Sequence, residues 1–269
     1  MDGLPLMISL FAAAIGAGVL AGYGAVYVFN RIPSKWLCDY GEAPGERHLP
    51  PRISRRPWGW LFALIFTVSI CKIGYMVSWY YAAAALPALW LLLLIGISDR
   101  KYKIIPDQFA AALAVVGIGF AAALNYNARV QGGFAAARDA NGAAMWDANG
   151  AAMWDVSGAA VRYGLLSPLM GAVIGAGILF LIGISGKLML KKDVMGFGDV
   201  KLAGACGLIL GAYGIIAVLL MTALSSASVF AAGLLTGKIN AGSEEALGPF
   251  IAGTTAVYLI FSQEIARII

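Results

Sequence analysis

The sequence predicts an all-α fold, a polytopic transmembrane helical bundle, and three observations carry that reading. Of 269 residues, 61% are hydrophobic and 12% charged, whereas soluble domains have about 45–50% and about 25%. The mean hydropathy is +0.81. The apolar residues fall in runs of 17 to 25 rather than in amphipathic stripes, and in lipid such a run must close its own backbone hydrogen bonds as a helix. A soluble globular enzyme is excluded, and function must be read from the few polar residues that remain.

Windows of roughly 20 residues divide the chain into spans at 6–29, 58–78, 82–98, 109–125, 165–185, 200–212, 213–236 and 248–268. The first begins near the N-terminus with no basic region before it and exceeds a signal-peptide core, so it reads as a permanent anchor. The sixth is short and glycine-rich, a tilted or partial helix, so the bundle has six to eight spans, with eight preferred. Two units follow from this division: residues 1–57, one span plus a basic loop, and residues 58–269, the remainder of the membrane body.

The net charge of +5 reports orientation rather than a nucleic-acid partner, because the cations lie in short loops between apolar runs. Arg31, Lys35, Arg47, Arg52, Arg55 and Arg56 follow the first span. Arg100, Lys101 and Lys103 follow the third, Lys187, Lys191, Lys192 and Lys201 the fifth, and Lys238 the seventh. These are 14 of the 19 Lys and Arg residues. The positive-inside rule makes that side cytoplasmic, with both termini and segment 126–163 outside.

The external segment holds an octapeptide repeat, DANGAAMW at 139–146 and 147–154 and DVSGAAVR at 155–162. Asp139, Asn141, Asp147, Asn149 and Asp155 echo the start of a calcium loop but lack its remaining ligands and closing glutamate. A flexible Gly/Ala-rich linker is the better reading. Cys38, Cys71 and Cys206 have neither disulfide-framework nor zinc spacing. Cys38, Asp39, Glu42, Glu46 and His48 share the first loop without paired spacing. That loop reads as solvated, its arginines meeting anionic lipid headgroups.

Ionisable groups at membrane depth are functional candidates. The third span runs straight into Asp99, and Gly196-Phe197-Gly198-Asp199 opens the sixth. Both acids are expected at one membrane depth, flanking a water-accessible cleft between those two spans that opens to the cytoplasm. Two carboxyls in a poorly hydrated cleft cannot both ionise, and the shared proton is the basis of aspartyl protease chemistry. Gly196 and Gly198 would permit a backbone shape closed to other residues and let a substrate strand approach. Lys201 could anchor to headgroups or tune the pair. The plainer alternative makes Asp199 a helix-dipole partner and Asp107 a cap for the fourth helix.

Asp99 with the basic stretch ending Ile104-Ile105-Pro106-Asp107, then Met195-Gly196-Phe197-Gly198-Asp199-Val200-Lys201-Leu202, resembles the type IV prepilin peptidase family, membrane aspartyl proteases with a GxGD signature. Gly248-Pro249-Phe250 is similar to that family's ending, and the likeness covers roughly residues 85–255. The resemblance makes residues 58–269 a peptidase domain of the bacterial inner membrane. It implies Asp99 and Asp199 as the catalytic pair, Gly196 and Gly198 as shaping the second aspartate's loop, and Asp107 as structural or substrate-contacting. It further implies cleavage, at the cytoplasmic face, of the basic leader of prepilins or pseudopilins, with no metal or other cofactor.

Many members also methylate the new N-terminus with S-adenosylmethionine and carry two CxxC pairs in the first loop. Here only Cys38 remains, so the loop is degenerate by comparison and a zinc-stabilised version is unavailable. Nothing in these residues ties methylation to the missing cysteines, and both alternatives stay open. Two other classes compete with the peptidase. One is a small proton- or cation-coupled transporter using Asp99 and Asp199, which predicts an inverted repeat not visible here. The other is a noncatalytic subunit of a pilus or secretion assembly. A presenilin-like protease would carry its first aspartate deeper in a helix. Neither the prepilin cleaved nor the oligomeric state follows from the sequence.

Overall fold

The computed structural model describes residues 3–38, 43–76, 79–130, 166–191, 195–237 and 246–266. They form α1 (Gly3–Arg31), α2 (Trp58–Met76), α3 (Trp79–Tyr102), α4 (Asp107–Val130), α5 (Leu166–Leu190), α6 (Phe197–Leu235), α7 (Gly248–Ile260) and α8 (Ser262–Ala266), with 3-10 turns at Ser34–Leu37 and Glu46–His48. All secondary structure among the described residues is helical, as predicted. Five helices (α1, α2, α3, α5 and α6) are long and apolar enough to cross a membrane, while α4 and α7 carry shorter apolar stretches. The repeat at 139–162, together with Asp39, Glu42, Lys192 and Lys238, lies outside the described residues.

Helix α6 corresponds to two of the expected spans. As a straight rod its 39 residues would measure about 58 Å, about twice the hydrocarbon thickness. The rod is broken at Gly211, whose φ of 70° and ψ of −176° leave the helical region, a conformation that favours glycine. Gly175 of α5 lies against both Ala203 and Ile215, positions about 18 Å apart along a straight helix, so the chain folds back at Gly211. The break falls beside the boundary expected at 212/213. Two differences concern helix ends. Helix α4 continues as a helix to Val130, into the segment read as external loop, and the last span divides at Phe261 into α7 and the short α8.

Small residues set the close helix contacts, as expected where association depends on packing rather than on a hydrophobic difference from lipid. Gly18 and Gly22 of α1 meet Thr67 and Ala63 of α2, and Gly171 of α5 meets the backbone of Gly207. Large apolar side chains face outward instead, among them Leu20, Val173, Leu181 and Leu224. The chain is therefore a multi-pass helical membrane protein. At its centre, α3 and α6 each pack on both α4 and α7.

Candidate active site

Asp99 lies four residues from the start of the turn that ends α3. Lys103 adopts φ 57° and returns its amide to the Asp99 carbonyl at 2.8 Å, a left-handed residue closing a helix end. The Ser98 hydroxyl donates to the Ile104 carbonyl at 2.9 Å, which folds Ile104-Ile105 back beneath the helix. Asp199 enters from α6. Gly196 is the N-cap, and the Asp199 amide donates to its carbonyl at 3.1 Å. Asp199 thus occupies the first turn, where the dipole favours an anion.

The fold brings the surroundings of the two acids together through Ile105 and Gly248. Asp99 is only 5% exposed, and its Oδ2 has no hydrogen-bond partner among the described residues. Gly248, the first residue of α7, presses on it: a Cβ there would sit 2.5 Å from Oδ2 and 3.0 Å from the Ile105 side chain. Ile105 also faces Gly198, whose Cβ would lie 3.2 Å from the Ile105 Cβ. One isoleucine therefore spaces the loop of Asp99 from the first turns of α6 and α7.

Neither glycine of the motif has a backbone shape closed to other residues, which corrects the sequence expectation, and only Gly198 is tightly packed. Gly196 has φ −71° and ψ 139°, open to any residue, and left-handed glycine φ values among the described residues occur at Gly211 and Gly237. Of the two readings of Lys201, the headgroup anchor is corrected. Its Nζ forms an ion pair with Asp107 Oδ1 at 2.7 Å and lies over the Phe197 ring at 5.1 Å, rather than reaching for headgroups. Asp107 begins α4, so the pair ties the start of α4 to the start of α6.

The first loop departs most from expectation. Arg52 is buried, not solvated: its guanidinium donates to the carbonyls of His48 and Phe29, both at 2.8 Å, and to the Ser34 hydroxyl at 2.9 Å. Asn30 accepts from the Arg52 and Ile53 amides and donates to the Ile53 carbonyl. Burial holds the Arg52 pKa below its ordinary value. His48 accepts from the Gly45 amide through Nδ1 and stacks on Tyr102 with ring centres 5.1 Å apart. Lys101 donates to the Arg52 carbonyl. The loop is thus a folded plug against the end of α3, three residues from Asp99. Donors and acceptors spread over residues 29–53 leave only "polar and proline-rich" to see in sequence.

These contacts bring Arg52, Lys101, Asp99, Asp107, Lys201 and Gly248 to one end of the bundle, the end at which the cation pattern grouped them. Sequence reading did not single out Ile105 or Arg52, and it noted Gly248 only as part of a motif.

The family model described as the type IV leader peptidase family matches residues 151–237. That segment contains Gly196-Phe197-Gly198-Asp199 and the whole of α6, while Asp99 and Gly248 lie outside it. No curated protein matches the chain, and no solved structure does. Over residues 151–237, which carry the Gly196-Phe197-Gly198-Asp199 motif and α6, this multi-pass helical membrane protein is similar to the type IV leader peptidase family.

Proposed function

We propose that the protein is an aspartyl endopeptidase that removes the basic leader of type IV prepilins or pseudopilins at the cytoplasmic face of a bacterial inner membrane, with Asp99 and Asp199 as the catalytic pair. The observation that supports the reading is geometric: two acids 100 residues apart in sequence sit on helices bridged by α4 and α7, with Ile105 packed against both Gly198, beside Asp199, and Gly248, which presses on Asp99. Neighbouring carboxyls in low dielectric hold one proton between them. The ionised aspartate takes a proton from water as its oxygen bonds to the scissile carbonyl carbon. The protonated aspartate donates to the carbonyl oxygen, and the C–N bond breaks as the leaving amine gains a proton.

Gly196, Gly198 and Ile105 set the space around Asp199, while Asp107 and Lys201 fix the loops. Hydrolysis of this kind needs no metal or organic cofactor. Methylation with S-adenosylmethionine is a separate activity, to be assayed on the trimmed product. Residues 58–269 carry the peptidase, and residues 1–57 add an anchor and the plug at its active end.

The test is incubation of the purified protein with prepilins of several classes and mass measurement of the products. Loss of the basic leader, with a new N-terminus at the edge of the apolar segment, is the expected result. Intact substrates throughout would reject the reading in favour of a transporter or a noncatalytic assembly subunit.

A further inference from the structure

A second site lies along α3 beside Asp99, which is not among its lining residues. A groove of about 570 Å³, within the range of ligand sites, runs between α2, α3 and α7. Its walls are apolar, built from residues such as Phe62, Phe66, Leu92 and Ala256, and one end is basic: Arg52, Arg100 and Lys101 line it, with no carboxylate among its lining residues. Gly96 of α3 packs against Ala252 and Pro249 of α7, and this contact between lining residues forms the floor of the groove.

The dimensions fit one occupant. Along α3 the groove extends from Leu89 to Lys101, and along α7 from Pro249 to Ile260. Twelve and eleven residue steps of helix span about 18 and about 16 Å, roughly half of the hydrocarbon core of about 30 Å. The groove is therefore one leaflet deep, apolar over the depth of an acyl chain, and cationic at the level of a headgroup. We propose that it is a binding site for an anionic phospholipid, the acyl chain lying between α2 and α7 and the phosphate meeting Arg100 and Lys101. A zwitterionic lipid would fill the same apolar trough without matching the charge at its end. The arginine-to-headgroup contact read from the first loop thus reappears at the end of α3, while Arg52 is held inward by its hydrogen bonds.

A lipid seated there would brace α3 and α7, the helices that press Gly248 onto Asp99, so occupancy would stabilise that contact from behind. The site itself does not depend on the peptidase reading, because it needs only the bundle and its charge pattern.

The probe is the full-length protein in detergent, titrated with phosphatidylglycerol or phosphatidylcholine of matched chains, with bound lipid counted by native mass spectrometry and thermal stability followed in parallel. Two cations, each worth about 1 kcal/mol near a headgroup, predict phosphatidylglycerol bound on the order of ten- to thirtyfold tighter. The double variant Arg100→Gln/Lys101→Gln should bring the two lipids to parity while still retaining lipid. Gly253 lines the groove, and a side chain there would enter open space. Gly253→Leu should therefore fold, fill the trough and lose both lipids.

Equal binding of the two lipids to the wild type overturns the proposal, as does an unchanged preference in Gly253→Leu. So does inorganic phosphate at millimolar concentration reproducing the whole stabilisation, since the acyl chain would then be unnecessary. A groove protected by a second copy, seen as a dimer that Gly253→Leu dissolves, likewise overturns it in favour of a subunit interface.

Discussion

The Nζ of Lys201 lies 2.7 Å from Oδ1 of Asp107, joining the start of α6 to the start of α4 across 94 residues of sequence. Both side chains are more than a third exposed, so the pair contributes about 0.2–1 kcal/mol to stability. Its consequence is geometric, because Lys201 is two residues from Asp199 and Asp107 two residues from Ile105. We predict that Lys201→Met and Asp107→Asn each lower cleavage about tenfold while moving the melting temperature by only a few degrees. In the double variant the losses should not add, since both remove one interaction. A product of the two separate losses would mean that the residues act independently.

Gly248 is the least replaceable glycine at this end of the bundle. A Cβ at 2.5 Å from the Asp99 carboxyl forces either that carboxyl or α7 to move, and a displacement of about 1 Å can cost on the order of a hundredfold in rate. Gly248→Ala should therefore lose cleavage to that extent, while helix propensity, which favours alanine by about 1 kcal/mol, opposes unfolding. Kinetics beside a thermal melt separates the two effects.

The two glycines of the signature should behave differently. Gly196 has ordinary backbone angles, and its Cβ would meet Asp199 Oδ2 at an unstrained 3.7 Å, so Gly196→Ala should keep activity within about threefold unless substrate itself needs that space. Gly198→Ala crowds Ile105 at 3.2 Å and should lose about tenfold. Trimming the neighbour with Ile105→Val should recover much of that loss. Failure of this rescue would show that Gly198 matters for something other than the Ile105 contact.

Arg52 anchors the plug. Its side chain makes three hydrogen bonds in a buried setting, and removing it takes a charged donor from the carbonyls of Phe29 and His48, the latter keeping only the Ser34 hydroxyl. Hydrogen bonds to a charged group contribute about 1.5–3 kcal/mol each, so Arg52→Ala should destabilise by roughly 3 kcal/mol. Arg52→Lys should recover only part, because an ammonium cannot reproduce the guanidinium fork. Chemical denaturation in detergent reads the series, and a loss below 0.5 kcal/mol, the ordinary range of surface substitutions, would mean that the plug is held elsewhere.

How much of this was legible in the sequence depended on the range of the interaction. Apolar run length located the helices, because in lipid each segment must satisfy its own backbone, and even the break within α6 fell beside its expected place through the cluster of Gly204, Gly207, Gly211 and Gly214. The two aspartates stood out because charge at membrane depth is rare. What escaped were pairings made by the fold: Lys201 with Asp107, Ile105 between two glycines, and Arg52 turned inward. An arginine in a proline-rich loop reads as solvated until a stacked His48–Tyr102 pair and three carbonyl or hydroxyl acceptors are seen around it. Gly196 shows the converse limit, since a glycine in a motif suggests an unusual backbone that the chain does not adopt there.

The measurement closest to the central claim is cleavage of a prepilin by the wild type, Asp99→Asn and Asp199→Asn, each reconstituted in vesicles and matched for folding by its thermal melt. Asparagine keeps the shape of each side chain and removes only its acid, so the account predicts that both variants melt like the wild type and fall by at least about 10³-fold in rate, the scale on which catalytic groups act. Wild-type turnover in either variant would contradict the shared-proton pair and leave the meeting of Asp99 and Asp199 without a catalytic role.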